Sequence, residues 1–367
     1  MADLPKTMRA LVAPDKTGAK GYDLAEVAVP KITKPKQVIV RSYAAGLGAS
    51  EIMLTAGKFD LVQKIKFPSK LGLEGSGTVV AIGSDVKTLK PGDDVYGIVV
   101  DKPMFELEPP GWASEYAIGE ERFLVPKPPH LSYAEAASMM GNTVSTYQAI
   151  RRGLEMRGWK SLEGKTVYVT AGLGGLGSMA IQLAKKVFNA GKVITTVSTS
   201  KVPLVEHYLP GLVDQIVDYK TQKLTDEIEP GSVDFVVNTL LATFTPSIPL
   251  VNRSSGVIAN MTGIPNQETA RKIFGKGFSR WMGVLLDCGQ LYYAWRLRGT
   301  DIAYDFVSGS AEIRTDIEQV AKLIAQEGLL KPVISMAELD DLEAVREGCE
   351  KLGAAKGGCG RFIIKIP

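Results

Sequence analysis

The sequence predicts an α/β chain of two units, one β-rich and barrel-like, the other built on a doubly wound parallel sheet. Three observations carry this expectation. First, a β-branched run, Thr166-Val167-Tyr168-Val169-Thr170, meets Gly172-Leu173-Gly174-Gly175-Leu176-Gly177, and a segment with Ile181, Leu183, Ala184 and Val187 at helical spacing follows at once. Second, buried-strand runs at Val213–Asp218, Val233–Asn238 and Gly256–Met261 alternate with helical stretches, the pattern of parallel strands covered on both faces. Third, the residues before Ser132 hold short strand-like runs separated by regular turns, with little helix.

A chain of 367 residues with 45% apolar content is long enough for two cores. The net charge of +3 comes from 43 basic and 40 acidic residues spread along the chain, which is no nucleic-acid surface. Cys288, Cys349, Cys359 and two histidines show no metal-ligand or disulfide spacing, so no metal site is expected and a reducing cytoplasm is. The opening MADLPKTMRALVAP has no apolar core of signal-peptide length. No apolar run reaches the roughly 18 residues of a membrane-spanning helix, and a soluble protein is expected.

In the first unit, residues 8–13 and 37–44 read as strands on either side of a turn-rich stretch with Pro30 and Pro35. Further strands are expected at 77–82, 95–98 and 113–118, with turns at Gly83-Ser84-Asp85 and Pro91-Gly92-Asp93. Ser50 is placed to cap a short helix, 51–56, that Gly57 ends. From Ser132 to about Leu154 the pattern is helical, with Ser132 and Glu135 spaced as a capping box; this is the expected hinge into the second unit.

There, strand, glycine turn and helix follow in the order that gives each glycine a task. The first lets the chain turn, the second lets a pyrophosphate touch backbone, and the third lets helix and strand approach closely. Phosphates then sit at the positive end of the helix. A second strand, 192–197, ends in Val197-Ser198-Thr199-Ser200-Lys201. An NAD site wants an acid about 20 residues past the glycines for the ribose 2′-OH. This turn offers hydroxyls and an ammonium instead, which suits a 2′-phosphate, so NADPH is the expected cofactor. Ser200 also reads as a cap for the next helix.

The stretch 264–301 is the least regular, with Trp281, Leu285, Leu291, Tyr292 and Trp295 among Lys272, Lys276, Arg280, Arg296 and Arg298. Packing against its own unit or a subunit neighbour is the plainest reading; a membrane-surface helix or a pocket lining are the others. Beyond it the sequence predicts a helix at 315–326 stopped by Gly328, a run at 330–334, a helix at 339–352 and a last strand at 361–366.

An ordered set of motifs then resembles the medium-chain dehydrogenase/reductases, in their zinc-free quinone oxidoreductase and enoyl reductase branch. It comprises Gly46-Leu47-Gly48-Ala49-Ser50-Glu51, Leu71-Gly72-Leu73-Glu74-Gly75-Ser76-Gly77, Pro91-Gly92-Asp93-Asp94-Val95, Gly141-Asn142-Thr143, the glycine loop, Gly328-Leu329-Leu330-Lys331-Pro332-Val333 and Gly360-Arg361-Phe362-Ile363-Ile364. The resemblance implies a GroES-like substrate domain from residues 1–140 and 330–367, a Rossmann domain from 141–329, and a cleft between them. It implies that Gly172, Gly174, Gly175, Leu176 and Gly177 hold the pyrophosphate, Ser198, Ser200 and Lys201 the 2′-phosphate, and Tyr219 the adenosine end. Thr143 would lie near the nicotinamide ribose, with Asn238 and Gly263 at later strand ends.

Departures from the family pattern narrow the chemistry. Where zinc alcohol dehydrogenases of the family place a ligand Cys and a ligand His, this chain has Gly48 and Leu73, and neither side chain can ligate a metal. The resemblance therefore implies hydride delivery to acceptors already activated by conjugation, enones, enoyl thioesters or quinones, where a hydrogen-bond donor at the carbonyl oxygen suffices. Ser50 stands at the family's proton-relay position, and Lys64 follows on the next loop; these two are the candidate catalytic residues. The Asn of several quinone reductases is replaced by Gly48, and the Tyr of several enoyl reductases by Phe59. The implied partners are a small conjugated carbonyl or quinone, or a carrier protein bearing a polyketide thioester, in a homodimer paired through a sheet edge or a monomer. A nucleotide-binding protein without turnover is the reading from outside enzymology.

Overall fold

The computed structural model describes residues 4–60, 65–98, 111–274, 278–310, 312–354 and 358–367, with residues 272–274 described in backbone only. The chain forms two compact units, Met1–Gly141 with Ser310–Pro367, and Asn142–Gly309.

The first unit opens with β1 (Thr7–Ala13), β2 (Asp23–Ala28), β3 (Gln37–Leu47) and α1 (Ala49–Thr55). It continues through β4 (Ser69–Lys70), β5 (Glu74–Ile82), β6 (Asp94–Ile98), β7 (Tyr116–Glu120), β8 (Leu124–Pro126) and α2 (Tyr133–Ala136). The capping box is present: the Ser132 hydroxyl accepts from Glu135 N at 3.2 Å, and Ser132 N donates to Glu135 Oε2 at 2.8 Å. The helix it starts is brief, because α3 (Met140–Arg157) begins anew after a turn. A buried carboxylate meets that second start, with Gly141 N donating to Glu74 Oε2 at 2.8 Å, a favourable place for a negative charge.

The second unit runs through α3, β9 (Thr166–Val169), α4 (Gly175–Lys186), β10 (Lys192–Val197), α5 (Val202–Tyr208), β11 (Gln215–Asp218) and α6 (Leu224–Glu227). Then come β12 (Phe235–Asn238), α7 (Phe244–Ser247), β13 (Val257–Asn260), α8 (Gln267–Phe274), α9 (Arg280–Leu297) and β14 (Ala303–Phe306). Its six strands are all parallel, in the order β11-β10-β9-β12-β13-β14. That order reverses between β9 and β12, and ligands of such sheets bind outside the carboxyl ends of the strands at this point. Tyr168, Ile194, Val236, Phe244 and Ile258 fill the core under the sheet.

The chain then returns through α10 (Arg314–Ile324), β15 (Ile334–Glu338), α11 (Leu342–Gly353) and β16 (Arg361–Lys365). It rejoins the first unit at Ser310 rather than at 330, because α10 already belongs there: Arg314 Nη1 donates to the carbonyls of Arg122 at 2.5 Å and Leu124 at 3.3 Å. The closing strand is interior. β16 runs parallel to β15 and antiparallel to β3, with Phe362 opposite Leu47 and Ile364 opposite Ala45. β3 is long enough to pair β5 along one edge and both β7 and β16 along the other.

Within stretch 264–301, the least regular in sequence, the described residues form the helices α8 and α9. Among the described residues no helix is long and apolar enough to cross a membrane.

Candidate functional site

The glycine loop is built by β9 and tied to β10. Past Thr170 the chain turns at Ala171, whose φ of 52° lies in the left-handed region. Ala171 N donates to Thr196 Oγ1 at 3.3 Å and Gly172 N to Thr196 O at 3.1 Å, so the β10 backbone and hydroxyl hold the turn. A side chain on Gly172 would collide with Thr195 Oγ1, and one on Gly177 with the Ala171 carbonyl. Gly174 is the N-cap of α4 and supplies no capping side chain. The first-turn N–H groups of Gly175, Leu176 and Gly177 are therefore left to solvent or an anion.

Beside this turn stands a residue the sequence alone did not single out. Asn142 is buried, its Nδ2 has no hydrogen-bond partner, and it lies 2.7 Å from where a Cβ on Gly175 would be. A buried unpaired amide costs free energy, and an oxygen-rich ligand at the loop would satisfy it. That is the fit expected for a pyrophosphate.

The residues expected at the 2′-phosphate and the adenosine gather at the ends of β10 and β11. Ser198 is half-buried and Ser200 exposed; Lys201 N donates to Ser198 O at 2.7 Å, which closes the turn. Tyr219 joins it through its N–H to Val197 O at 3.2 Å and leaves its ring exposed beneath Lys220 Nζ, 5.5 Å from the centroid. β11 also brings an acid, Asp218, to this turn. Its carboxyl is held below its ordinary value chiefly by the Thr199 hydroxyl, with the Lys220 N–H and the Thr221 hydroxyl adding to the effect. Thr221 Oγ1 donates at 3.0 Å and Lys220 N at 3.0 Å. The acid is thus engaged in shaping the turn.

Three further residues were expected at the cofactor. Of these, Thr143 is fully buried in α3. Asn238 is also fully buried, and its amide donates to Leu240 O and Asn260 Oδ1, both at 2.8 Å, while its oxygen accepts from Thr243 Oγ1 at 2.6 Å. Gly263 makes room for Asn260, whose Nδ2 a side chain there would strike. The side chain of Asn238 and the smallness of Gly263 serve an internal polar ladder that continues from Asn260 Nδ2 to Tyr304 OH at 3.3 Å.

In the first unit, Ser50 is not the cap of α1: Gly48 holds that position with extended backbone, and Ser50 falls in the first turn, half-buried. Lys64 lies outside the described residues. Around Gly48 the structure assembles a charge cluster that links distant sequence segments. The β3–β16 register sets Arg361 beside Gly48, its Nη1 3.2 Å from where a Cβ on that glycine would be, with Ser50 Oγ at 3.6 Å. Arg361 Nη2 pairs with Glu74 Oε1 at 2.5 Å, and that carboxylate is 2% exposed. Glu51 Oε1 accepts from Gly72 N at 2.5 Å, and its other oxygen is buried without a partner.

Burial drives both carboxyls up. Glu51 is pushed up to about 7, the Gly72 N–H, the Arg361 guanidinium and the Gly48 N–H holding it back, and the Glu74 charge adding to the rise. Glu74 is raised by burial and held down mainly by Arg361. Since the folded state keeps the Glu51 proton and the unfolded chain releases it near 4.5, the folded state binds more protons between those values. Stability from this group is then present below about pH 4.5 and lost as pH rises to about 7, by about 3 kcal/mol. Glu51→Gln cannot titrate. Its stability relative to wild type, from denaturant unfolding, should rise by about 3 kcal/mol across that window, and a constant difference would refute the assignment.

Among the described residues, no three His, Cys, Asp or Glu side chains come together as metal ligands.

A GroES-like sheet unit joined to a dinucleotide sheet of this strand order defines the class, a two-unit dehydrogenase fold. Residues 34–129 match the family of the alcohol dehydrogenase GroES-like domain. The chain is 38% identical over 216 residues to a 2-methylene-furan-3-one reductase of Solanum lycopersicum, covering 59% of this chain and 52% of that protein. It is 34% identical over 240 residues to a chloroplastic NADPH-dependent alkenal/one oxidoreductase of Arabidopsis thaliana, covering 65% and 59%. The chain thus spans a little over half the length of these curated relatives. The solved structure of the quinone oxidoreductase from Coxiella burnetii superposes with a TM-score of 0.75 over 99% of this chain and all of that one, at 23% identity, a likeness of fold. The chain carries the GroES-like domain, and its homologues are quinone oxidoreductases and alkenal/one reductases of the medium-chain dehydrogenase/reductase superfamily.

Proposed function

We propose that this chain is an NADPH-dependent, zinc-independent oxidoreductase that reduces α,β-unsaturated carbonyl compounds or quinones. The observation that carries the proposal is the uncapped glycine start of α4 beside a turn of hydroxyls and a lysine, with the one nearby acid already engaged. The names of its alkenal/one and furanone reductase relatives support the acceptor class. Glycine and leucine at positions 48 and 73 also support it, since neither polarises a carbonyl.

In this proposal the N–H groups of Gly175, Leu176 and Gly177 and the amide of Asn142 take the pyrophosphate. Ser198, Ser200 and Lys201 take the 2′-phosphate, and the exposed ring of Tyr219 flanks the adenosine. Bound NADPH supplies the hydride. Ser50 donates a hydrogen bond to the substrate oxygen and so stabilises the negative charge that develops there. Three free cysteines support a reducing compartment, the cytosol.

Oxidation of NADPH against quinones, enones, enoyl thioesters and plain ketones tests the reaction class. Turnover is expected on the conjugated acceptors alone. Comparable turnover of plain ketones would refute it, and a pantetheine thioester far outpacing the small acceptors would point to a carrier-bound substrate. The cofactor assignment has its own check in the double variant Ser200→Ala with Lys201→Ala. NADPH affinity should drop by about 2–3 kcal/mol, the worth of charge-assisted contacts to a phosphate, with NADH affinity little changed; equal losses would remove the 2′-phosphate from this turn.

A further inference from the structure

A guanidinium carries five N–H donors in a fixed fork, and a buried one needs acceptors for them. Arg361, on β16, has fewer than it can use. Its side chain is 17% exposed, and its one ion pair among the described residues runs from Nη2 to Glu74 Oε1. Nε is buried without a partner. Unpaired buried donors cost free energy that an incoming oxygen recovers.

The spare edge of the fork faces a gap. Gly48 has extended backbone, φ −115° and ψ 150°, a conformation open to any residue, so glycine adds no needed freedom there. What it adds is room. The point at which a Cβ on Gly48 would stand lies 3.2 Å from Arg361 Nη1, 3.5 Å from Nη2 and 3.6 Å from Ser50 Oγ. Donors from two side chains thus surround the place of one missing methyl group.

We propose that Arg361 is a catalytic residue: its guanidinium, together with the Ser50 hydroxyl, receives the substrate's carbonyl oxygen beside Gly48 and stabilises the charge that hydride addition puts there. This rests on the functional reading above and gives it a cation at the substrate oxygen. Hydride addition to the β-carbon of an enone forms a C–H bond and sends the C=C electron pair toward oxygen, leaving an enolate. The α-carbon then takes a proton from water, hydroxide is left, and the carbonyl re-forms. Negative charge grows on the oxygen as hydride arrives, so donors placed there favour the transition state over the ground state.

Charge and size favour a substrate oxygen over a cofactor phosphate. Glu74 already balances the guanidinium, and below about pH 7 the neighbouring Glu51 keeps its proton. The cluster is then close to neutral and suits one developing charge, whereas a pyrophosphate brings two. The gap beside Gly48 is also about the size of a single oxygen atom.

The full chain, with but-3-en-2-one as acceptor and crotonate as probe, tests the assignment. Crotonate holds permanently, on a similar skeleton, the negative oxygen that the enolate acquires. Arg361→Met with Glu74→Gln leaves no unpaired charge; its kcat should fall at least ~100-fold and its crotonate affinity ~10-fold, with NADPH affinity held. Gly48→Ala keeps both charged residues and fills the gap, so kcat should fall ~10-fold with the melting temperature held. Wild-type kcat in the double variant would overturn the proposal. So would a loss of NADPH affinity as large as the loss of kcat, which would give the guanidinium to a cofactor phosphate. A wild type inactive on every conjugated acceptor would fail the functional reading instead, and crotonate affinity in the two proteins would still decide whether Arg361 holds an anionic oxygen.

Discussion

Arg361→Met is expected to destabilise the first unit by about 3–5 kcal/mol near neutral pH. The guanidinium is the cation paired with Glu74, a carboxylate that is 2% exposed. It also restrains the rise of Glu51. Methionine fills much the same volume, so what is removed is charge. Glu74 then faces ionisation without a partner or protonation, which weakens the bond it accepts from Gly141 N. For a unit of this size the loss corresponds to a drop in melting temperature of roughly 10 °C, readable by scanning calorimetry. The double variant Arg361→Met with Glu74→Gln keeps an acceptor for Gly141 and has no unpaired charge there, so most of the stability should return. A single variant as stable as wild type, or a double variant no better than the single, would show that the pair carries no such energy.

The second large effect is expected on cofactor binding. Gly177→Val drives a branched side chain into the Ala171 carbonyl, and the turn there is already bent through a left-handed alanine. Overpacking of this kind costs about 1–3 kcal/mol, and relief comes only by moving the start of α4 away from the turn. The N–H groups of the first turn then lose their common aim. NADPH affinity, followed by fluorescence titration, should fall about 100-fold, or about 2.7 kcal/mol. Unchanged affinity would remove the start of α4 from the nucleotide site.

The dinucleotide half was legible because its signals are local. Strand, glycine turn and helix occupy 24 consecutive residues, 166–189, and Gly172, Gly174 and Gly177 each meet a neighbour within that segment or the next strand. A polar residue near a strand or helix end, such as Thr143 or Asn238, looks the same in sequence whether it faces a ligand or an internal ladder, and the Asn238 side chain is held in such a ladder. Ser50 misled by one turn position, with Gly48 adopting the cap backbone. The charge cluster was illegible for a different reason: its members lie at 51, 74 and 361, and only the pairing of β3 with β16 brings them together. Asp218 reaches the β10 turn by the same kind of cross-strand adjacency. The bounds of α9 were not legible because its apolar residues do not keep to one face, which blurs the helical period that would have marked them.

The interior place of β16 sets an order of assembly on the ribosome. Asn142–Gly309 is one uninterrupted stretch, so every strand of its sheet is available before residues 310–367 are made. The first unit, begun earlier, must wait. Until Arg361–Lys365 is synthesised, β3 is paired along Ala44–Gly46 by β5 alone, its other edge open, and the Glu74 carboxylate lacks the Arg361 cation. The later-encoded unit is thus the first able to finish folding, and the nascent first unit carries an unpaired strand edge through most of synthesis, the condition under which chaperones are recruited.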